Sequence, residues 1–245
     1  MSAGYASRLR EYPNKGVCGL PELSDTKRSL AAKIRALADL VKQSNKCVFL
    51  TGAGISTSAG IPDFRGPKGI WTLEQKEETL PKRKRKRTSC DDVEKSAEGA
   101  DFNFASAKPS ATHHIITKLI ADDVFQFCIT QNVDGLHRRS GLPREKMAIL
   151  HGCAFTEKCE DCSAEHFLEK EVGPFISSQK TGRKCTLCGG DLRDTLLDWE
   201  DPLPEDDFEK ATIICETSDL SVCLGTSLRI EPAGSLPFLA QKGVI

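Results

Sequence analysis

Three short runs of mostly apolar residues lie at positions 47–50, 124–129 and 220–224 of the chain. Each run ends in a polar segment that contains glycine. Apolar runs of this length between polar boundaries predict strands that are buried in the interior of a sheet. We therefore expect three central strands, and we interpret Gly243 to Ile245 as the opening of a fourth.

Helical periodicity separates these runs. Ser24 and Asp25 are candidate N-caps for a helix that ends near Ser44, and residues 112–122 predict a second helix. The apolar positions of the first helix fall on one face: Leu30, Ile34, Leu37 and Val41. Strands that alternate with helices predict an α/β fold, an open parallel Rossmann-like sheet with helices on both faces.

The segments after the three strands are residues 51–56, 130–137 and 225–228. Parallel strands place their carboxyl ends at one edge of the sheet, and ligands of such sheets bind there. The sequence therefore predicts that three polar loops meet at one site.

Composition narrows the class of protein. The chain has 245 residues, a formal net charge of −1 and no apolar stretch long enough for a membrane span, and its first 30 residues resemble no secretory signal. Eleven cysteines without an export signal favour reduced thiols in the cytosol or nucleus.

Residues 74–107 are rich in charge and predict a loop insertion, which contains the basic run from Lys82 to Arg87.

Four cysteines form two C-x-x-C pairs with 22 residues between the pairs. Such paired spacing is typical of a zinc ribbon, in which four thiolates hold a structural ion and leave no open coordination position. A redox C-x-x-C motif and buried free thiols are the alternatives. The candidate ligands are Cys159, Cys162, Cys185 and Cys188.

The first strand is followed by Gly52-Ala53-Gly54, a pattern that permits a tight turn and close approach of backbone N–H groups to a phosphate. The third glycine of the dinucleotide-binding fingerprint is absent, and an ordinary tight turn explains the loop equally well. The segment 60–66 then places Asp63, Phe64 and Arg65 in consecutive positions, which suits a pocket lining better than a surface loop.

Taken together, GAGISTSAGIPDFRG at 52–66, TQNVDGLH at 130–137, His151-Gly152, the cysteine quartet and GTSL at 225–228 resemble the sirtuin family in order and spacing. The segments 14–22 and 194–204 look like its nuclear, chromatin-associated class IV branch, closest to the sirtuin-six type. The resemblance implies an NAD-dependent protein deacylase of the histone deacetylase type, and mono-ADP-ribosyl transfer as a second activity. It divides the chain into an NAD-binding domain (1–152 and 194–245) and a zinc module (153–193).

The resemblance also implies roles for individual residues. In sirtuins the acyl-lysine carbonyl oxygen attacks a ribose carbon of NAD, nicotinamide leaves, and a ribose hydroxyl then needs a general base. His151 matches that base, and a neutral imidazole suits the task near physiological pH. Asn132 and Asp134 match residues around the nicotinamide ribose; alone, their segment would predict a simple turn. The expected cofactor-binding residues are Gly52, Ala53, Gly54, Ser56, Thr57, Asp63, Phe64, Arg65, Trp71, Gln131, Asn132, His151, Gly225, Thr226 and Ser227.

The resemblance also implies the partners of the protein and its cellular location. It implies acylated lysine in histones or other chromatin proteins as substrate, with nucleosome or DNA contact, and a nuclear location. Lys82 to Arg87 predicts an import-receptor signal; contact with DNA phosphates and a solvated loop are the alternatives. Class IV sirtuins continue beyond the strand that Gly243 opens, so the resemblance implies a C-terminally truncated chain. A non-catalytic chromatin-binding module is the alternative function.

Overall fold

The computed structural model describes residues 9–10, 12, 15–79, 104–241 and 243–245. Its strands are β1 (Cys47–Thr51), β2 (Phe127–Thr130), β3 (Met147–Ile149), β4 (Thr156–Cys159), β5 (Glu165–Phe167), β6 (Lys180–Lys184), β7 (Asp191–Asp194) and β8 (Leu220–Leu224). Its α-helices are α1 (Lys27–Lys42), α2 (Ile70–Thr79), α3 (Ala111–Ala121), α4 (Leu136–Arg139) and α5 (Glu205–Thr217). Three 3-10 segments lie at Ala53–Ala59, Arg144–Lys146 and Ala233–Leu239.

The larger sheet is parallel, with strand order β3-β2-β1-β8. The central strand β1 is buried along its whole length, as its continuous apolar run predicts. On the outer side of β8, Val244 forms a parallel bridge with Ser221. The predicted Rossmann-like fold class is confirmed, and the segment from Gly243 pairs with the sheet as expected.

Helices cover both faces of this sheet because successive residues of a buried strand point to opposite sides. Phe49 of β1 packs on one side with apolar residues of α1 and α3. Val48 and Leu50 pack on the other side with residues of α5 and of the segment Ala233–Leu239. The result is a three-layer arrangement whose strand ends are free to form a site.

The first helix differs from its prediction at two points. Thr26 is its N-cap and accepts a hydrogen bond from the Ser29 N–H, so the helix begins after the predicted caps Ser24 and Asp25. Of its predicted apolar face, Leu37 and Val41 pack on the core. The remaining two residues of that face are largely exposed, Leu30 by 49% and Ile34 by 56%.

The charged segment 74–107 is also not a loop throughout. Helix α2 includes its first residues, and Trp71, the second residue of that helix, is buried. At the other end of the segment, Phe104 and Ala107 are buried in the main core. The basic run from Lys82 to Arg87 lies outside the described residues. Among the residues that are described, none of the helices combines the length and apolar character that crossing a membrane requires.

The smaller sheet is antiparallel, with strand order β5-β4-β7-β6, and it comprises residues 156–194. Its buried apolar cluster is small: Cys159, Cys185 and Leu192, with Ala164 packed against them. So few apolar contacts provide little hydrophobic stabilisation, and two of the buried residues are cysteines.

Candidate active site

A cavity of about 730 Å³ lies at the carboxyl ends of β1, β2 and β8, where the three polar loops meet. Loop residues 52–56, 131–134 and 225–227 contribute to its wall. Segments 61–65 and 197–203 complete the wall from other parts of the chain. The convergence that the strand-end argument predicts is therefore present in the structure.

Two of the loops touch through their backbones. The Gly52 N–H donates to Leu224 O over 3.0 Å, and the Gly54 N–H donates to Gly225 O over 2.8 Å. A Cβ atom at Gly54 would lie 2.8 Å from the Gly225 Cα, and one at Gly225 would lie 2.4 Å from the Ile55 nitrogen. Gly225 also has φ +62°, a conformation that favours glycine. The glycines are thus required by close packing of the two loops.

A buried polar network joins the first and second loops. Ser56 Oγ donates to Asp134 Oδ2 over 2.6 Å, and the Leu136 N–H donates to Asp134 Oδ1 over 2.9 Å. Asn132 Nδ2 donates to Gly52 O over 3.1 Å. These bonds fix the carboxylate and the amide at the cavity wall, where both groups can face a polyhydroxyl ligand.

His151 lines the same cavity, and one hydrogen bond determines its tautomer. Its Nδ1 lies 3.1 Å from Gln131 O. Because a carbonyl oxygen only accepts, Nδ1 carries the proton and the neutral ring keeps an unprotonated Nε2. Burial lowers the pKa of His151 to about 4, although the hydrogen bond to Gln131 opposes this shift. The ring is therefore a neutral base at physiological pH.

Arg65 is a cation of the cavity wall that bonds only to neutral groups among the described residues. Its Nε donates to Lys15 O over 2.8 Å, and its Nη1 donates to Ser227 Oγ over 3.3 Å. Its guanidinium carbon lies 4.5 Å from the ring centroid of Trp71. Within the described part of the chain, the buried Nη2 has no hydrogen-bond partner. Burial lowers the pKa of Arg65, so an anion at this point would be stabilised by a poorly solvated charge.

Aromatic rings form an apolar side of the cavity. The Trp71 centroid lies 5.0 Å from that of Phe64 and 5.5 Å from that of Trp199. Tyr12 stacks on Trp71 at 5.5 Å and lies 4.7 Å from Trp199. Polar loops on one side and aromatic rings on the other suit a ligand that carries both polar and apolar parts.

The structure brings almost all of the sequence-predicted site residues to this one cavity. Those that line it are Gly52, Ala53, Gly54, Ser56, Asp63, Phe64, Arg65, Trp71, Gln131, Asn132, Asp134, His151, Gly225, Thr226 and Ser227. Thr57 does not line it: this residue is exposed and its hydroxyl donates to Gly54 O over 3.0 Å. Trp199, which resembles a pocket aromatic of the class IV branch, also lines the cavity, whereas the sequence predicts neither Phe104 nor the rest of the segment 197–203 as part of the wall.

The cysteine quartet forms a second, separate site in the small sheet. The sulfur atoms of Cys159, Cys162, Cys185 and Cys188 all lie within 4.8 Å of one another. The Sγ–Sγ distance is 3.4 Å for Cys159 and Cys188, and 3.7 Å for Cys162 and Cys185. Tetrahedral zinc with bonds of about 2.3 Å separates its sulfur ligands by about 3.8 Å. The quartet is therefore compatible with one structural zinc ion.

The fold and the two sites define a class: a Rossmann-like α/β domain with a strand-end ligand cavity, joined to a small thiolate metal module. Comparison with known proteins refines this class, since the profile of the Sir2 family matches residues 52–232. The chain belongs to the Sir2 family, as its motifs predict.

Individual relatives agree with this assignment. NAD-dependent protein deacetylase SRT1 of Arabidopsis thaliana is 46% identical over 99% of this chain and 48% of its own length. NAD-dependent protein deacetylase Sirt6 of Drosophila melanogaster is 41% identical over 99% of this chain and 73% of its own length. A solved complex of Sir2 with a p53 peptide and NAD+ has a TM-score of 0.58 and 28% identity, and covers 86% of this chain and 84% of that one. The chain thus spans about half the length of the plant relative.

Proposed function

We propose that this protein is an NAD-dependent protein-lysine deacylase that removes acetyl or longer acyl groups. The observation that carries the proposal is His151, a neutral ring at the wall of the strand-end cavity whose unprotonated Nε2 has no hydrogen-bond partner among the described residues. Relatives named as NAD-dependent deacetylases and a neighbour solved with a peptide and NAD+ support it.

The residues of the cavity fit NAD. Arg65 Nη2, which is buried and has no partner in the described part of the chain, suits the negative charge of a dinucleotide, and the two glycine loops allow close backbone approach. Asn132 and Asp134 suit ribose hydroxyls, and Asp63 and Phe64 would border the nicotinamide. When bound, NAD supplies a ribose carbon from which nicotinamide can leave.

The protein's own groups would then orient the reactants and move a proton. The network of Ser56, Asn132 and Asp134 holds its polar atoms fixed before a ligand arrives, which lowers the entropic cost of reaching a reactive geometry. His151 Nε2 would accept a proton from a ribose hydroxyl as general base, while Nδ1 stays bonded to Gln131 O.

Release of nicotinamide from NAD, with and without an acetylated or myristoylated histone peptide, tests this proposal. The wild-type chain should release nicotinamide only with peptide, and His151→Ala should lower the rate by about 10²–10⁴-fold, as for other general bases. His114→Ala is the matched control, because His114 is exposed on α3. Equal rates for His151→Ala and the wild type would contradict the assigned base.

We further propose the domain division made above, with residues 1–152 and 194–245 binding NAD and residues 153–193 binding zinc. Chromatin proteins as substrates, a nuclear location and mono-ADP-ribosyl transfer belong to the same proposal. Import would depend on Lys82 to Arg87, which lies outside the described residues. Replacing these six residues with glutamine should move a tagged protein to the cytoplasm without changing nicotinamide release.

A further inference from the structure

Two buried histidines lie directly behind the candidate site. His113 is in the first turn of α3, and His137 is in α4. Their ring centroids are 4.9 Å apart with an interplanar angle of 61°. Both side chains are almost completely buried, and neither lines the main cavity. Their contacts nevertheless reach both loops that carry the polar network.

His113 is linked to the first loop through Ser110. The Ser110 N–H donates to His113 Nδ1 over 3.2 Å, so this nitrogen is unprotonated and Nε2 carries the proton. Ser110 Oγ lies 2.8 Å from the same Nδ1 and 3.1 Å from Ile55 O, so its hydroxyl joins the His113 ring to the first loop. A second proton on the His113 ring would lie on Nδ1, where it would face the proton of the Ser110 N–H. This repulsion would break the hydrogen bond at the start of α3.

His137 ends the second loop, and two threonines link it to the end of β1 and to the start of its own loop. Its Nε2 lies 2.9 Å from Thr51 Oγ1, and Thr51 Oγ1 donates to Thr130 Oγ1 over 2.9 Å. The Thr51 oxygen therefore accepts the proton of His137 Nε2, which leaves Nδ1 unprotonated. Thr130 Oγ1 also accepts from the Asn132 N–H over 3.1 Å, so the chain of bonds ends at a site residue.

The surroundings keep both rings neutral. Burial lowers the pKa of His113, with Asp134 opposing and His114 adding to the shift. Burial lowers the pKa of His137 to about 3, with a smaller contribution from His113. Cys128 Sγ lies 3.8 Å from His137 Nε2, and burial raises the pKa of this thiol to about 12, so it contributes no charge.

We propose that His113 and His137 are positioning residues, which hold the 52–60 and 130–137 loops at the relative placement that ribose chemistry at Asn132 and Asp134 requires. This inference rests on the proposed function. Each ring uses one specific nitrogen: Nδ1 of His113 as acceptor and Nε2 of His137 as donor. The proposal therefore predicts that activity requires a hydrogen-bonding atom at each of these two positions, and that a side chain of similar volume without that atom is not sufficient.

Amide substitutions test that requirement, because asparagine places its amide near the Nδ1 position of histidine and glutamine places its amide near the Nε2 position. We expect His113→Asn to retain kcat within about threefold and His113→Gln to lower kcat by about 10–100-fold. At the second position the order should reverse, with His137→Gln active and His137→Asn impaired. KM for NAD should change little, and exposed His114→Gln is the control.

The opposite order of the Asn and Gln variants at the two positions distinguishes a positioning role of the histidines from a role in general packing. Equal kcat for the two amides at both positions would overturn the proposal, as would failure of His113→Asn and His137→Gln to fold. Deuterium exchange of backbone amides in 52–60 and 130–137 provides a readout without catalysis, and should show the same crossover. If the wild type releases no nicotinamide, the proposed function fails, while the exchange pattern still decides whether the histidines hold the loops.

Discussion

The two sheets are stabilised in different ways. In the parallel sheet, β1 is buried along its length and apolar clusters lie on both of its faces. In the antiparallel sheet, β6 is mostly exposed and the buried cluster consists of two cysteines and Leu192, with Ala164 beside it. The first sheet has a hydrophobic core of its own, whereas the second has few buried apolar residues, so we expect its stability to depend on the cysteine quartet. The two regions should therefore respond differently to the same perturbation.

Metal removal should give the largest difference. Cys159→Ser should abolish zinc binding and deprotect the amides of residues 156–194, because structural zinc contributes on the order of 10 kcal/mol to such sites. The amides of β1 should remain protected in deuterium exchange. Cys18→Ser, outside the quartet, should keep its zinc. A protected small sheet in metal-free protein would contradict the comparison.

Removal of a large side chain from the hydrophobic core should instead destabilise the parallel sheet and leave the zinc module unchanged. Leu50→Ala leaves a cavity in the parallel-sheet core and should lower the free energy of unfolding by about 2–5 kcal/mol, with zinc content unchanged. Leu187→Ala removes a side chain that is 76% exposed and should cost less than about 0.5 kcal/mol. Urea unfolding measures both variants, and equal losses would show that the core is not where the structure places it.

Arg144 joins the two regions. It forms ion pairs with Glu165 of β5 at 2.7 Å and with Asp207 of α5 at 2.8 Å. Arg144→Met leaves two carboxylates without their shared cation, and should cost about 1–2 kcal/mol after allowance for partial exposure. Lys118→Met, which removes an exposed pair with Asp122, should be nearly neutral. A neutral Arg144→Met would show that the regions are held together by other contacts.

The smallest effect concerns pH. Because the pKa of His151 is lowered to about 4, its neutral form should persist at pH 5.5, and nicotinamide release should stay nearly flat from pH 7.5 to 5.5. The unfolded chain takes up this proton near pH 6.5, so the stability contributed by neutral His151 is complete above pH 6.5 and is lost as pH falls toward 4. A tenfold fall in rate centred at pH 6.5 would contradict the shift.

The sequence predicts different features of the two regions: strands in the parallel sheet and the metal site in the small sheet. The apolar runs of β1 and β8 locate their strands, but β3 has three residues and gives no comparable signal. The sequence does not predict helix α2, because the charged residues of this helix obscure the signal of the buried Trp71. The cysteine spacing alone predicts a metal site, because two C-x-x-C pairs at this separation are typical of zinc ligands; a redox motif and buried free thiols are the alternatives.

The roles of several residues in the candidate active site cannot be predicted from local sequence patterns alone. His151 carries no local pattern of its own, and only its family resemblance assigned a role to it. His113 and His137 were not predicted to act together, because their proximity depends on the packing of α3 against α4. Apart from Trp199, which resembles a pocket aromatic of the class IV branch, the residues of 197–203 enter the cavity wall through tertiary packing.

The backbone contact between the two glycine loops has a consequence for how this protein tolerates mutation. Side chains at Gly52, Gly54 or Gly225 would collide with the neighbouring loop whether or not a nucleotide is present. A mutational scan would therefore report these positions as intolerant even under selection for folding alone. Ser56 and Thr226, whose side chains make the contacts of the site, are the positions at which selection for activity and selection for folding should diverge.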